Sequence, residues 1–135
     1  MKFYCFHLMP YAALDPDYAR GLRAIEAKDW AAAIRLLSSA ALRDTRNADL
    51  QNLIAYSYRN SGDLAAAFKH YNRALQLNPR HRGAHEYIGE AYLMNGNVAK
   101  AEEHLQELRR ICLVPCAERG QLEAKIARYR GSAAK

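Results

Sequence analysis

The sequence predicts an all-α protein built from three similar helical hairpins and one further helix. Apolar residues recur every three or four positions over most of the chain, which is the spacing that places them on one face of an α-helix. Residues of matching type also recur at a period of 34, so that Ala55 and Gly62 correspond to Gly89 and Gly96. This period accommodates two helices and their turns, and each unit is therefore predicted to be one hairpin.

The period divides the chain into three units without insertion. These units are Leu14–Asn47, Ala48–His81 and Arg82–Pro115. A helix is predicted over about 117–130, and a tail over 131–135. A chain of 135 residues has the usual length of one domain, and we assign residues 15–130 to that domain. Each hairpin alone would expose an apolar face, which stacking of the units buries.

Residues 1–14 contain one basic residue followed by a mainly apolar run. A secretory signal needs an uninterrupted apolar core of about 7–15 residues, and His7 and Pro10 interrupt the run here. We expect an irregular arm that packs on the first hairpin, or alternatively the remnant of a trimmed leader. The protein would be periplasmic if a leader was trimmed and cytoplasmic otherwise.

The turns within the hairpins have their own local signals. Gly62 can adopt the positive φ that ends a helix, and Asp63 can cap the helix that follows. In the first unit Asp15 is the expected N-cap, and Lys28 must adopt positive φ at some conformational cost if that turn is equivalent. Gly89 is expected at a tight contact between helices.

The repeated unit resembles the tetratricopeptide repeat, a 34-residue helix–turn–helix motif. The pattern of small and aromatic residues is matched best in the middle unit, at Ala55, Tyr58, Ala67, Tyr71, Ala74 and Pro79. The resemblance implies a short right-handed solenoid closed by a C-terminal capping helix. The stretch from His81 to Met94 and the later cysteine pair also resemble small bacterial tetratricopeptide proteins, of which an exported subset exists.

The resemblance further implies a binding groove, because family members take an extended peptide or a partner's helix on the face lined by the first helix of each hairpin. Carried over to this chain, the partner-binding groove comprises Asn52, Tyr56, Arg59, Asn60, Glu86, Tyr87, Glu90 and Met94. The same face is expected to include Tyr18, Leu22, Ile25, Asp49 and Leu93. Tyrosines supply rigid contact area, and the amide and guanidinium groups can bond a peptide backbone.

Some family members grip a partner's C-terminal carboxylate with lysine, asparagine and arginine at set groove positions. In this chain those positions hold Tyr18, Leu22, Leu53, Gly83 and Tyr87. No carboxylate clamp is therefore predicted.

Cys112 and Cys116 are two cysteines close together in the sequence, whose side chains could take part in redox or metal chemistry. Residues four apart near a helix end can bring their Cα atoms within the roughly 4.4–6.8 Å that a disulfide requires. The pair would form a disulfide in an oxidising compartment and remain two thiols in a reducing one. A redox or metal-handling function centred on this pair is the first alternative to partner binding, but two ligands fall short of the four of a structural zinc site.

The histidines do not predict a metal site. His81 and His85 are four residues apart, but His81 falls in a loop. His70 and His104 are one period apart and would lie on successive stacked helices, roughly 10 Å from each other. We expect surface or groove histidines, and neither a metal nor another cofactor.

Charge is concentrated at the C-terminal end, although the whole chain carries only +6. From Arg109 to Lys135 there are seven basic and two acidic residues, a net of +5. Binding of nucleic acid or another anionic surface through this end is the second alternative.

The sequence has no glycine-rich phosphate loop, metalloprotease helix motif or nucleophile elbow, and we predict no enzyme and no catalytic residue. No run approaches the 18 apolar residues of a membrane span. The predicted function is that of a non-enzymatic adaptor for a protein or peptide partner.

Overall fold

The computed structural model describes residues 15–133, and this part of the chain folds into seven α-helices with no strand. The helices are α1 (Pro16–Glu26), α2 (Trp30–Arg43), α3 (Ala48–Ser61), α4 (Leu64–Leu77), α5 (Arg82–Met94), α6 (Val98–Ile111) and α7 (Ala117–Ala133). Consecutive helices pair as the hairpins α1–α2, α3–α4 and α5–α6. The predicted all-α fold is confirmed, whereas the expected arm over 1–14 lies outside the described residues.

Each of the first six helices begins at a polar residue that caps it. The N-cap residues are Asp15, Asp29, Asn47, Asp63, His81 and Asn97. The Asp63 carboxylate, for example, accepts a hydrogen bond from the Ala66 backbone N–H at 3.0 Å. Such a cap satisfies one of the backbone donors that the first helical turn leaves without a partner.

The turn inside each hairpin contains one residue with positive φ, at the same place in the repeat. Gly62 has φ 96° and Gly96 has φ 75°, and Lys28 takes the equivalent position with φ 58°. The strain expected for Lys28 is thus present, because a residue with a Cβ atom loses about 1–2 kcal/mol in the left-handed region.

Three hydrophobic clusters follow one another along the stack. The first contains Leu37 of α2 and Leu53 of α3, and the middle one is centred on Tyr71 of α4. The last joins Leu108 of α6 to Leu122 of α7. Each hairpin therefore buries its apolar face against the next helix along the chain, and α7 closes the last hairpin in this way.

Gly89 lies where α5 and α7 approach closely, as predicted. A Cβ atom built at this position would lie 2.8 Å from both δ carbons of Leu122. Real Cβ atoms do not come this close to a neighbour, so any other residue here would force the Leu122 side chain to shift.

The C-terminal helix is longer than predicted, because α7 continues to Ala133 instead of ending near residue 130. Gly131 and Ser132 extend the helix, although glycine is a poor helix former. No proline interrupts this stretch, and the Tyr129 ring packs on the last hydrophobic cluster and anchors the final turns. None of the helices within residues 15–133 is long and apolar enough to cross a membrane.

Candidate functional site

Three of the predicted groove residues come together between α3 and α5. The Tyr56 and Tyr87 ring centroids are 5.0 Å apart, and Trp30 meets Tyr56 edge-on at 5.9 Å. The Arg59 guanidinium carbon lies 5.2 Å from the Tyr56 ring centroid and 5.3 Å from that of Tyr87. These distances allow cation–π attraction, and the aromatic pair therefore holds Arg59 in place.

Glu90 connects this cluster to the C-terminal helix. Its Oε1 atom accepts a hydrogen bond from Arg59 Nη1 at 3.1 Å and lies 2.5 Å from Lys125 Nζ of α7. The Glu90 residue is only 9% exposed, and a buried carboxylate is stable only when it is paired. One carboxylate thus joins α3, α5 and α7.

A cleft of about 690 Å³ opens beside this ion-pair network, between α3, α5 and α7. Its lining residues are Arg59, Asn60, Glu90, Leu93, Met94, Lys125, Arg128, Tyr129 and Ser132. Met94 is 59% exposed and offers an apolar contact. Three lining cations face one lining carboxylate, which gives the cleft a formal charge of +2.

The cleft differs from the predicted groove because α7 forms one of its three sides. Arg59, Asn60, Glu90 and Met94 were predicted from the sequence as groove residues, whereas the last helix was predicted as a cap and, in the second alternative, as part of a basic surface. The rotation of α7 that turns Lys125 and Arg128 toward α3 depends on how the helices pack. The one available sequence signal was the run of basic residues in the last helix.

Other residues of the predicted groove face are buried. Tyr18 and Ile25 belong to the first hydrophobic cluster, so their assignment to an open face was wrong. Asn52 and Glu86 are 5% and 3% exposed. These residues were expected on the open face because the repeat pattern gives the direction of a side chain but not what covers it.

The histidines form an arrangement that the sequence analysis missed. His70 Nδ1 lies 2.8 Å from Gln51 Oε1, and one period later His104 Nδ1 lies 3.0 Å from His85 Nδ1. In each pair a tyrosine ring stacks on the histidine of the second helix of the hairpin. Tyr58 stacks on His70, and Tyr92 stacks on His104. The common separation of 19 residues in both pairs was the signal that sequence reasoning could have used.

The expectation of surface or groove histidines was wrong for His85, which is 5% exposed. Burial lowers the pKa of His85, and burial followed by the nearby His85 ring lowers the pKa of His104 to about 4. His81 caps α5, because its Nδ1 accepts a hydrogen bond from Ala84 N–H and its Nε2 lies 2.6 Å from Asp49 Oδ1. Residues 15–133 contain no group of three or more histidine, cysteine, aspartate or glutamate side chains placed to hold a metal ion.

Cys112 and Cys116 are joined by a disulfide bond, with their Cα atoms 6.0 Å apart. Cys112 is the C-cap of α6 and is buried, and Cys116 directly precedes α7. The bond therefore fixes the connection between the last hairpin and the C-terminal helix. Leu113 and Val114, inside the closed loop, are exposed.

The basic C-terminal end is largely paired with acidic groups. The ion pairs there are Arg109–Glu123, Arg110–Glu107, Arg119–Glu123, Lys125–Glu90 and Arg130–Glu102. Arg128 makes no ion pair with any residue in the part of the chain that the structure describes. Up to residue 133, the charge that this end offers to an external anion is therefore concentrated at Arg128, beside the cleft.

A family model described as tetratricopeptide repeat matches residues 18–80 and again residues 52–112 of this chain. No curated protein sequence matches it. Among solved structures, the first TPR of Spaghetti (RPAP3), bound to HSP90 peptide SRMEEVD, superposes with a TM-score of 0.76 at 16% identity. That match covers 88% of this chain and 91% of the other.

Two further structures have the same fold. The type III secretion translocator chaperone SycD of Yersinia enterocolitica matches with a TM-score of 0.78 at 11% identity, over 94% of this chain and 90% of its own. MamA from Desulfovibrio magneticus RS-1 matches with a TM-score of 0.70 at 18% identity, over 80% of this chain and 60% of its own.

Proposed function

The chain belongs to the tetratricopeptide repeat family, and we propose that it is a non-enzymatic adaptor that binds a short peptide or one helix of a protein partner. The proposed docking site is the cleft between α3, α5 and α7. The observation that carries the proposal is the composition of that cleft, in which an exposed methionine lies beside cations that only one carboxylate balances.

The size of the cleft agrees with such a ligand. About 690 Å³ lies within the range of roughly 300–1,000 Å³ that is usual for binding pockets, and it accommodates a few side chains of a peptide. Leu93, Met94 and Tyr129 supply apolar contacts. Arg128 has no ion-pair partner within residues 15–133. The expected ligand therefore combines an apolar side chain with one or more carboxylates.

The solved relatives support a peptide ligand in general terms. The Spaghetti TPR domain holds an acidic peptide, but this chain lacks lysine, asparagine and arginine at the clamp positions named above. We therefore propose recognition of acidic side chains by Arg128 and its neighbours rather than capture of a terminal carboxylate.

Peptides selected from a random display library on the immobilised protein provide the test. Selected sequences should contain aspartate or glutamate beside an apolar residue. Arg128→Glu should weaken their binding about tenfold or more, because it removes an attraction and adds a repulsion. Arg35→Glu is the matched control, since it makes the same charge change on the exposed side of α2. Equal affinity of the two variants, or no saturable peptide binding, would refute the proposal.

The tyrosine pair provides a second measurement on the same peptides. Tyr56→Ala or Tyr87→Ala is expected to weaken binding by about 1–2 kcal/mol, because both rings hold Arg59, which lines the cleft. Because both rings also pack against each other, thermal melts must accompany the titrations. If either variant loses its cooperative melt, the tyrosines are needed for folding and do not act on peptide binding through Arg59.

The ion pairs at the C-terminal end favour this proposal over binding of nucleic acid. Such binding requires several free cations along a surface, and its affinity falls steeply with salt. A peptide in the cleft meets mixed charges and apolar contacts, so its affinity should change much less between low and physiological salt.

A further inference from the structure

The contacts of His85 determine which of its two ring nitrogens carries the proton and which one faces His104. His85 Nε2 lies 2.8 Å from the Pro79 carbonyl oxygen, which can only accept a hydrogen bond. His85 must therefore carry its proton on Nε2, and in the neutral ring Nδ1 has a free lone pair directed at His104. A histidine that binds a metal through one ring nitrogen usually donates the N–H of the other nitrogen to such an acceptor, as His85 does to the Pro79 carbonyl.

The preceding repeat provides an internal comparison. Gln51 stands where His85 stands one period later, and His70 stands where His104 stands. The Gln51–His70 hydrogen bond shows that one imidazole and one amide are sufficient to link the two helices of a hairpin. The second imidazole is thus not needed for this link, and it adds a second nitrogen with metal affinity.

We propose that His85 and His104 form a two-imidazole site for a divalent copper or nickel ion. Metal–nitrogen bonds are about 2.0–2.1 Å long, so two nitrogens 3.0 Å apart subtend an angle of about 95° at the metal. That angle fits adjacent positions of square-planar or octahedral coordination, which copper and nickel adopt with nitrogen ligands. Tetrahedral zinc would require the nitrogens to move to about 3.3 Å apart.

Water fills the remaining coordination positions, because the described residues offer no third ligand at this place. His104 is only partly buried and gives solvent access to the pair. In the metal-free protein His104 donates its Nδ1–H to His85. On binding, that proton moves to His104 Nε2, so two neutral rings ligate the ion without net release of a proton.

Calorimetry with nickel chloride at pH 7.5 tests the site in the full chain with its disulfide intact. Cys5→Ser and His7→Gln are introduced first, because they remove a thiol and an imidazole near the N-terminal end that could bind nickel. One saturable site is expected. His85→Gln rebuilds the Gln51–His70 arrangement, so it should stay folded while its nickel affinity falls about tenfold or more. His70→Gln is the matched control and should leave the affinity unchanged.

Electron paramagnetic resonance with copper(II) gives a readout that does not depend on any variant of the pair. The spectrum should contain hyperfine coupling from two imidazole nitrogens. Coupling from fewer than two, or equal nickel affinity of His85→Gln and its parent, would overturn the proposal.

Discussion

Replacement of Gly89 by alanine should destabilise the protein, although alanine is the better helix former. In an exposed helix interior this replacement gains about 0.5–1 kcal/mol. At Gly89 the added methyl carbon would lie 2.8 Å from both δ carbons of Leu122, whose side chain is fully buried. Leu122 must then shift within a packed cluster, and overpacking of this kind costs about 1–3 kcal/mol.

The C-terminal helix offers a matched control for this substitution. A Cβ atom added at Gly120 would meet nothing within 4 Å, so Gly120→Ala gains helix propensity without a clash. We therefore expect Gly120→Ala to be more stable than Gly89→Ala by about 1–3 kcal/mol. Gly89→Leu should be less stable again, because its side chain is larger.

Urea denaturation followed by circular dichroism measures these differences. Removal of the opposing side chain tests the cause, because Leu122→Ala opens space that the new methyl group can occupy. The two substitutions should therefore be less harmful together than the sum of their separate effects. The reasoning is wrong if Gly89→Ala and Gly120→Ala have the same stability.

Two further predictions concern the cysteine and histidine pairs. Cys112→Ser/Cys116→Ser should lower the free energy of unfolding by about 2 kcal/mol, because this is the chain-entropy value for a loop closed over so few residues. Urea denaturation measures the difference. The wild-type protein under reducing conditions should have the same stability as the variant. His104 has a folded pKa of about 4 against an ordinary value of 6.5, mainly because burial disfavours its charged ring. The unfolded chain therefore binds the proton more tightly, and stability should fall as pH is lowered from 6.5 to 4. His104→Gln should flatten this dependence, and an unchanged slope would contradict the assignment.

Most of the fold could be predicted because its signals are local. Gly62 and Asp63 define a turn by their own conformational preferences, and the 34-residue period transfers that turn to the other hairpins. The strain at Lys28 follows from the same register. The end of α7 was predicted less well, because continuation through Gly131 depends on the packing of Tyr129 against another helix.

The candidate site depended more on contacts between distant residues. The repeat register correctly indicated that Tyr56, Arg59 and Glu90 lie near one another. It did not reveal that Lys125 reaches Glu90, because the rotation of α7 is set by Leu122 and Ile126 in the core. The burial of Asn52 and the pairing of His85 with His104 likewise depend on which neighbour covers each side chain.

The order of the helices has a consequence for how the chain folds. Substantial contacts join only neighbouring helices or helices with one other between them. Native contacts therefore close short loops, and low contact order of this kind accompanies rapid folding. Structure can begin in any hairpin and spread to its neighbours, since each unit contacts only the next. Within residues 15–133 the first and last helices have helical neighbours on one side only, and their amide protons should exchange with solvent faster than those of α3 and α4.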